Sequence, residues 1–303
     1  MKTCQPFSRG PVYTDIDIGE SVTVRTKSGA WHPVKLLDIG YHGPTGRPAR
    51  AELGWITVQV NETRADVPLG WWRMVDGVRI IADLNSRYNA DPARKENALR
   101  RFRLEHDARI FLSDGLHPVL ARERYLFPMV SDAWSWDSVN NWLTKYSGLN
   151  SGSMTHEGID LYCPPGVATV RAVVGGEIVY LGGYKENDEL GGPGNVVSVL
   201  GDDNIGYMYV HMRGLEKSLA EGARIETGQT IGRSGKTGFE RMNTMPHLHF
   251  EMVIGESADA VRAALRPPFY DFTPGLKAFR INPYAYLCQW FEEYMAGEDA
   301  RQM

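Results

Sequence analysis

The chain has 303 residues, of which 43% are hydrophobic and 23% are charged, and its formal net charge at pH 7 is -4. A chain of this length has enough material for two domains, and the composition excludes a disordered or collagen-like protein. The acidic balance and the lack of a Lys/Arg run argue against a nucleic-acid-binding protein, because such proteins carry a basic surface that neutralises phosphates.

The sequence shows few features that indicate a membrane segment, a secretory signal or a disulfide framework. No run of about 18 apolar residues is present, so we expect no membrane-spanning helix. The N-terminal stretch "MKTCQPFSRGPVYTD" lacks the apolar core of a secretory signal, which indicates a cytosolic protein or one whose signal has been removed. The three cysteines, Cys4, Cys163 and Cys288, are widely separated, and they indicate neither a disulfide framework nor a zinc ribbon.

Residues 1–125 contain short runs rich in β-branched and aromatic residues, separated by Gly, Pro and Asp. Examples are "ESVTVRTKSG", "WHPVKLLDIG", "ELGWITVQV" and "GVRIIADLN". Such runs are typical of strands between turns, so they predict a separate, small accessory β module with a barrel-like arrangement. A charged stretch meets Phe127 and Pro128 in "ARERYLFPMV", and we place the domain boundary there.

A glycine-rich segment follows at residues 126–255. Of the 32 glycines in the chain, 19 lie between Gly148 and Gly238. Glycine supplies the positive φ that tight hairpin turns require, so frequent turns are expected here. The runs between the turns, among them "EIVYL", "NVVSVL", "GYMYVHM" and "HLHFEMV", predict an antiparallel β-sheet domain.

The last segment, residues 256–303, contains an amphipathic pattern in "INPYAYLCQWFEEYMAGE". Asn282 is placed to cap a helix and Pro283 to occupy its first position. Apolar side chains recur at helical spacing at Leu287, Trp290, Phe291 and Tyr294. The pattern predicts a short helix that docks onto one of the β domains, with a membrane or partner helix as the alternative.

Two motifs place polar side chains on one face of an extended strand. In "PHLHFE", His247 and His249 share a face because successive side chains of a strand point to opposite sides. In "THEGID", His156 and Asp160 share a face, and Gly158 between them leaves that face open. A buried imidazole pair destabilises a fold unless it finds polar partners. A metal site would supply them.

A further histidine lies in "YMYVHM", residues 207 to 212. Strict alternation puts His211 on one face with Tyr207 and Tyr209 and leaves the aliphatic residues for the other face. We therefore expect His211 to leave the apolar side and to face the same cleft as the other motifs.

One combination of these groups supplies two histidines and a carboxylate, with water in a fourth position, which is the composition of a catalytic zinc site. Such donors favour zinc over calcium or magnesium without excluding cobalt or nickel. The remaining two imidazoles are then free to transfer protons. Glu251, which follows the His-x-His motif, is expected to be a solvated carboxylate or one that orients an imidazole.

As an ordered set, "HEGID", "YVHM" and "PHLHFE" resemble the motifs of the M23 family of zinc metallopeptidases, the LytM or lysostaphin-like peptidoglycan endopeptidases. The resemblance covers roughly residues 126–255 and implies a LytM-type catalytic domain of antiparallel β-sheet. The zinc ligands that it implies are His156, Asp160 and His249. The catalytic pair that it implies is His211 and His247, with the choice of general base left open.

The reaction that the resemblance implies is hydrolysis of a peptide bond in a peptidoglycan stem peptide or cross-bridge by zinc-activated water, assisted by the two histidines. Peptidoglycan is then the partner, and the location is the cell envelope or the exterior. Neither the bond that is cleaved nor the oligomeric state follows from the sequence.

Other zinc sites fit the sequence less well. An HExxH zincin presents two histidines from a helix, but position 160 is Asp, and Gly158 with Pro164 and Pro165 opposes a helix. A D-alanyl-D-alanine dipeptidase also uses His, Asp and His, but that family spaces the first two more widely than four residues.

The main alternative function is a catalytically silent regulator or cell-wall-binding module on the same fold. Silent relatives typically lose ligands, whereas all five polar positions are present here, so we favour an enzyme. A further hypothesis is that the accessory module occludes the cleft and keeps the enzyme latent.

Overall fold

The computed structural model describes residues 2–3, 12–26, 28–42, 54–89, 104–114, 125–131, 145–148, 152–183, 194–238, 245–267, 269 and 277–297. Within these residues strands far outnumber helices, and the strand pairs are antiparallel except for one. The mainly β fold that the sequence predicts is therefore confirmed.

The chain divides into two compact units. The first consists of Met1–Arg122, Asn141–Glu157 and Tyr284–Gln289, and the second consists of Glu123–Asn140, Gly158–Pro283 and Trp290–Met303. The division after Glu157 falls inside the "HEGID" motif, so a single residue separates His156 from the second unit. The domain boundaries predicted at residues 125 and 255 stay predictions.

The first unit contains two sheets built from the strands that precede residue 115. These strands are β1 (Lys2–Thr3), β2 (Val12–Ile16), β3 (Ser21–Arg25), β4 (Trp31–Tyr41), β5 (Gly54–Val60), β6 (Thr63–Pro68), β7 (Trp72–Val75), β8 (Val78–Asn85) and β9 (Ala108–Asp114). One sheet has the order β1-β3-β4-β5-β6 and the other has the order β2-β9-β8-β7. A helical turn, α1 (Ser86–Asn89), follows β8. Val22 and Val24 of β3 are fully buried, as the alternating pattern of that strand predicts.

The other named strands follow residue 125. They are β10 (Met129–Val130), β11 (Lys145–Gly148), β12 (Gly152–Thr155), β13 (Ile159–Tyr162), β14 (Thr169–Arg171), β15 (Gly176–Gly182), β16 (Asn195–Gly201), β17 (Gly206–Met212), β18 (Gly214–Leu215), β19 (Arg224–Ile225), β20 (Thr230–Arg233), β21 (His247–Gly255) and β22 (Ala278–Ile281). β11 and β12 pair with each other. The second unit contains a sheet of order β10-β14-β20-β18 and a larger sheet of order β13-β21-β17-β16-β15-β19, in which β22 also pairs with β21.

Strand β21 lies inside the larger sheet and has partners on both edges. β17 pairs with one edge, from Val210 opposite His249 to Gly206 opposite Val253. The other edge pairs with β13 at residues 247–250 and with β22 at residues 252–255. β13 and β22 therefore lie end to end along the same edge of β21.

Both faces of β21 are packed. On one face, Val253 joins Val210 and Val261 in a buried apolar cluster beneath α2 (Ala258–Ala264). On the reverse face, the Phe250 ring contacts the ring of Tyr209, with centroids 5.4 Å apart. This packing holds the strand from both sides, and it thereby fixes the directions of the histidines at its start.

The predicted C-terminal helix is confirmed as α3 (Tyr284–Met295), although Pro283 rather than Asn282 occupies the N-cap position. Trp290 is buried, stacks on the ring of Tyr125 and contacts Phe250 of β21. The helix thus docks onto a β domain, as its apolar spacing predicts. In the part of the chain that the structure describes, none of the helices combines the length and the apolar character needed to cross a membrane.

Candidate metal centre

The three residues predicted as ligands, His156, Asp160 and His249, lie together. Their candidate ligand atoms are all within 4.8 Å of one another, and each residue is less than a tenth exposed. Asp160 of β13 lies directly opposite His249 of β21, with its Oδ1 2.9 Å from Nδ1 of the histidine. Atoms bound at about 2.0 to 2.2 Å to one tetrahedral ion lie roughly 3 to 4 Å apart. Small side-chain movements therefore suffice for the three residues to share one ion.

Gly158 makes room for the His249 ring. An ideal Cβ on Gly158 would lie 2.5 Å from the carbonyl oxygen of Phe250 and 2.9 Å from both Cε1 and Nε2 of His249. Non-bonded atoms do not normally approach so closely, so any larger residue would displace the imidazole. The expected open face at Gly158 is therefore present, and the ring of a candidate ligand occupies it.

His211 reaches the site by a route other than the predicted one. Its ring centroid lies 5.1 Å from that of His247 and 5.9 Å from that of His249. Tyr209, however, lies directly opposite Phe250, on the reverse face of the sheet from the histidines of β21. The expectation that His211 shares a face with Tyr209 is therefore wrong.

The reason is a backbone irregularity in β17. The register between β16 and β17 shifts by one residue between the pairs Val197–Tyr209 and Asn195–Met212. Within this bulge His211 has φ of 66°, in the left-handed region. A bulge interrupts alternation and redirects a side chain, and here it turns His211 towards His247 and His249.

Substitutions at position 211 test the backbone constraint separately from the ring. An L-residue in the left-handed region is strained by roughly 1 to 2 kcal/mol, a strain that glycine avoids. We therefore expect His211→Gly to unfold at a higher temperature than His211→Ala, although both variants lose the imidazole. Thermal unfolding monitored by circular dichroism measures the difference.

Ser198 of β16 supplies the matched control for this pair. Its φ is not positive, and glycine in ordinary strand backbone is less stable than alanine by about 0.5 to 1 kcal/mol. The order should therefore reverse, with Ser198→Gly less stable than Ser198→Ala. If alanine were more stable than glycine at position 211 as well as at position 198, the inferred strain at His211 would be contradicted.

Hydrogen bonds to backbone carbonyls orient two of the imidazoles. Nδ1 of His211 is 2.9 Å from the carbonyl oxygen of Thr237, and Nδ1 of His247 is 2.6 Å from that of Met245. Because a carbonyl oxygen only accepts, each Nδ1 carries the hydrogen, and Nε2 of a neutral ring keeps the lone pair. Burial, followed by the positive charges of His247 and His249, lowers the pKa of His211 to about 3. His211 is therefore neutral at pH 7 and able to accept a proton at Nε2.

His249 lies between two carboxylates. Its Nδ1 is 2.9 Å from Oδ1 of Asp160, and its Nε2 is 3.0 Å from Oε1 of Glu251. Burial alone would lower the pKa of His249, but the two carboxylates outweigh burial and raise the pKa to about 10. Electrostatics of this kind attract positive charge, whether a proton or a metal ion.

Glu251 is fully buried, so the expectation of a solvated carboxylate is wrong and the orienting alternative remains. Its second oxygen, Oε2, accepts a hydrogen bond of 2.6 Å from Nε of Arg280, on β22. No pattern in the sequence pointed to Arg280. Alternation in "AFRI" puts Arg280 on one face with Ala278, but nothing local indicates that this strand pairs with β21.

Comparison with known proteins identifies the segment that contains these residues. Residues 154–261 match the model of peptidase family M23. These residues form an M23 peptidase domain. The match includes the three motifs and all five predicted site residues and ends before β22. The family predicted from the motifs is thereby confirmed, whereas the roles of the five residues as ligands and catalytic pair stay predictions.

Relatives of the M23 domain include glycyl-glycine endopeptidase ALE-1 of Staphylococcus capitis, which is 33% identical over 124 residues, or 39% of this chain and 30% of that protein. Among solved structures, lysostaphin of Staphylococcus simulans is 22% identical over 56% of each chain, with a TM-score of 0.38. A putative glycyl-glycine endopeptidase LytM of Ruminococcus gnavus is 20% identical over 56% of this chain and 61% of that chain, with a TM-score of 0.39. The chain thus spans about a third of ALE-1 and less than two thirds of the other two.

Proposed function

We propose that the M23 domain is a zinc-dependent endopeptidase that hydrolyses peptide bonds in the stem peptides or cross-bridges of peptidoglycan. The observation that carries the proposal is the buried cluster of His156, Asp160 and His249 beside two further imidazoles. The name of ALE-1 describes a glycyl-glycine endopeptidase, which supports a peptide bond as the substrate. Peptidoglycan as substrate would place the protein at the cell envelope or outside the cell.

The donor set suits zinc. Two imidazole nitrogens and one carboxylate oxygen leave a coordination position for water, as catalytic zinc sites do. A bound zinc ion supplies a Lewis acid and lowers the pKa of coordinated water to roughly 7. The Asp160 carboxylate contributes negative charge, and the contact between His249 and Glu251 is of the carboxylate–histidine kind that orients metal-binding imidazoles.

His211 and His247 are placed to move protons. Each ring is held through Nδ1 by a backbone carbonyl, which leaves Nε2 as the nitrogen that accepts or donates. One of the two takes a proton from the attacking water, and the other donates a hydrogen bond to the carbonyl oxygen of the substrate as negative charge develops there. A contact of the second kind stabilises a transition state by roughly 3 to 4 kcal/mol.

The test compares the wild type with His211→Ala, by mass spectrometry of peptidoglycan digests and by zinc content. We expect both proteins to retain about one zinc ion per chain, because His211 is not a predicted ligand. Turnover by the variant should fall roughly 100- to 10,000-fold. His106, which lies outside the M23 domain beside Asp17, provides the control, since His106→Ala should retain both zinc and turnover.

Two results would favour the silent regulator instead. They are a wild-type protein that binds no zinc, and full turnover by His211→Ala.

The same digests identify the bond that is cleaved if peptidoglycans with different cross-links are compared. Fragment masses distinguish cleavage at glycyl-glycine, D-alanyl-glycine and D-alanyl-diaminopimelate bonds.

A further inference from the structure

Glu251 and Arg280 form a buried ion pair next to the candidate metal centre. Glu251 is fully buried and Arg280 is only 6% exposed. Nε of Arg280 donates to Oε2 of Glu251 over 2.6 Å, while Oε1 lies 3.0 Å from Nε2 of His249. Each oxygen of the carboxylate therefore has its own donor, and one of these donors is a predicted metal ligand.

Further contacts hold both members of the ion pair: Glu251 contacts His249, and Arg280 contacts a backbone carbonyl. A buried carboxylate is strongly disfavoured unless charged donors surround it. The guanidinium of Arg280, whose Nε lies 2.6 Å from Oε2, is such a charged donor. The guanidinium of Arg280 also donates to the carbonyl oxygen of Phe269 over 3.0 Å. Arg280 is thus fixed between the backbone and Glu251.

This arrangement determines which nitrogen of His249 can bind a metal. Because the guanidinium of Arg280 donates to Oε2, the Glu251 carboxylate is the acceptor in this cluster, and Nε2 of His249 carries the hydrogen in its contact with Oε1. Nδ1 is then the nitrogen available to a metal ion, and it is the one that lies 2.9 Å from Asp160. Rotation of the ring would break the contact with Glu251.

We propose that Glu251 and Arg280 are positioning residues for the metal centre: Glu251 holds the His249 ring with Nδ1 towards the ion, and Arg280 holds Glu251. This inference rests on the proposed function, because it requires a metal ion bound by His249. Arg280 lies outside the segment 154–261 that matches the M23 family. Its strand β22 lies end to end with β13, so Asp160 and Arg280 approach β21 along the same edge.

The first test is a double variant, Glu251→Leu with Arg280→Met. Replacing a buried ion pair by apolar residues of similar volume is often neutral for stability, so the variant should fold. Loss of a carboxylate behind a ligating histidine typically weakens metal binding roughly 10- to 100-fold. We expect a weakening of that size in the zinc dissociation constant, measured by competition with a chromogenic chelator.

A second Arg–Glu pair in the same unit provides the matched control. Arg262 of α2 donates to both carboxylate oxygens of Glu177 of β15, at 2.5 and 3.0 Å. The variant Glu177→Leu with Arg262→Met should bind zinc as tightly as the wild type. A folded Glu251/Arg280 double variant with the wild-type zinc affinity would overturn the positioning role. A wild type that does not bind zinc would instead overturn the proposed function.

The second test uses the wild type alone and so does not depend on whether any variant folds. The protein is labelled with ¹⁵N and loaded with ¹¹³Cd, and nuclear magnetic resonance detects which histidine nitrogens couple to the metal. We expect coupling through Nδ1 of His249 and a bound hydrogen on its Nε2. Coupling through Nε2 would overturn the proposal.

Discussion

Asp160→Asn is expected to abolish both zinc binding and turnover. The substitution keeps the size of the side chain but removes the only charged donor among the three predicted ligands, in a residue that is 4% exposed. Loss of a residue that merely supports a ligand weakens metal binding roughly 10- to 100-fold, and loss of a ligand should exceed this. Zinc content of the purified variant and release of fragments from peptidoglycan measure the two effects.

Asp202→Asn is the matched control for this variant. Asp202 lies in the same compact unit, but its side chain is half exposed and pairs with the exposed side chain of Arg224. Exposed ion pairs contribute little to stability, so this variant should keep the zinc content and turnover of the wild type. If Asp160→Asn retained a full equivalent of zinc, the ion would have to bind elsewhere, and the predicted ligand set would be wrong.

The proximity of the three candidate ligands could be predicted in part, because short-range geometry keeps residues of the same motif together. His156 and Asp160 are four residues apart, and His247 and His249 are two apart, so an extended backbone keeps each pair together. Gly158 was predicted to leave the face open, and the structure adds that a ring from β21 fills this space. Spacing alone did not bring the motifs together. That step came from their resemblance to the M23 family.

His211 shows why alternation fails in β17. Two residues of a bulged strand oppose one residue of the partner, so every side chain beyond the bulge changes face. No glycine or proline in "YMYVHM" marks the position of the bulge. The alternating pattern therefore led to the correct cleft although it assigned His211 to the wrong face.

Arg280 could not be predicted because its role depends on a contact between distant segments. Glu251 and Arg280 are 29 residues apart, and they meet only because β22 pairs with the end of β21 that β13 does not occupy. The buried apolar cluster that contains Val253 of β21 and Val261 of α2 also includes Ala278 of β22. Local periodicity carries no information about such a pairing.

Gly158→Ala is expected to damage the centre without changing any ligand. The added Cβ would lie 2.5 Å from the carbonyl oxygen of Phe250 and 2.9 Å from the ring of His249. Either β13 moves away from β21 or the imidazole turns, and both movements separate His249 from Asp160. We expect a loss of about 1 to 3 kcal/mol in the free energy of unfolding and zinc binding at least roughly 10-fold weaker. Urea unfolding and chelator competition measure these changes.

Gly183→Ala is the matched control for Gly158→Ala. It follows β15, its φ is not positive, and no atom lies within 4 Å of the Cβ that alanine would add. Gly183→Ala should therefore unfold within about 0.5 kcal/mol of the wild type and bind zinc equally well. Equal behaviour of the two alanine variants would mean that the strands can separate at Gly158 without moving His249. The close approach at Gly158 would then have no role in forming the metal centre.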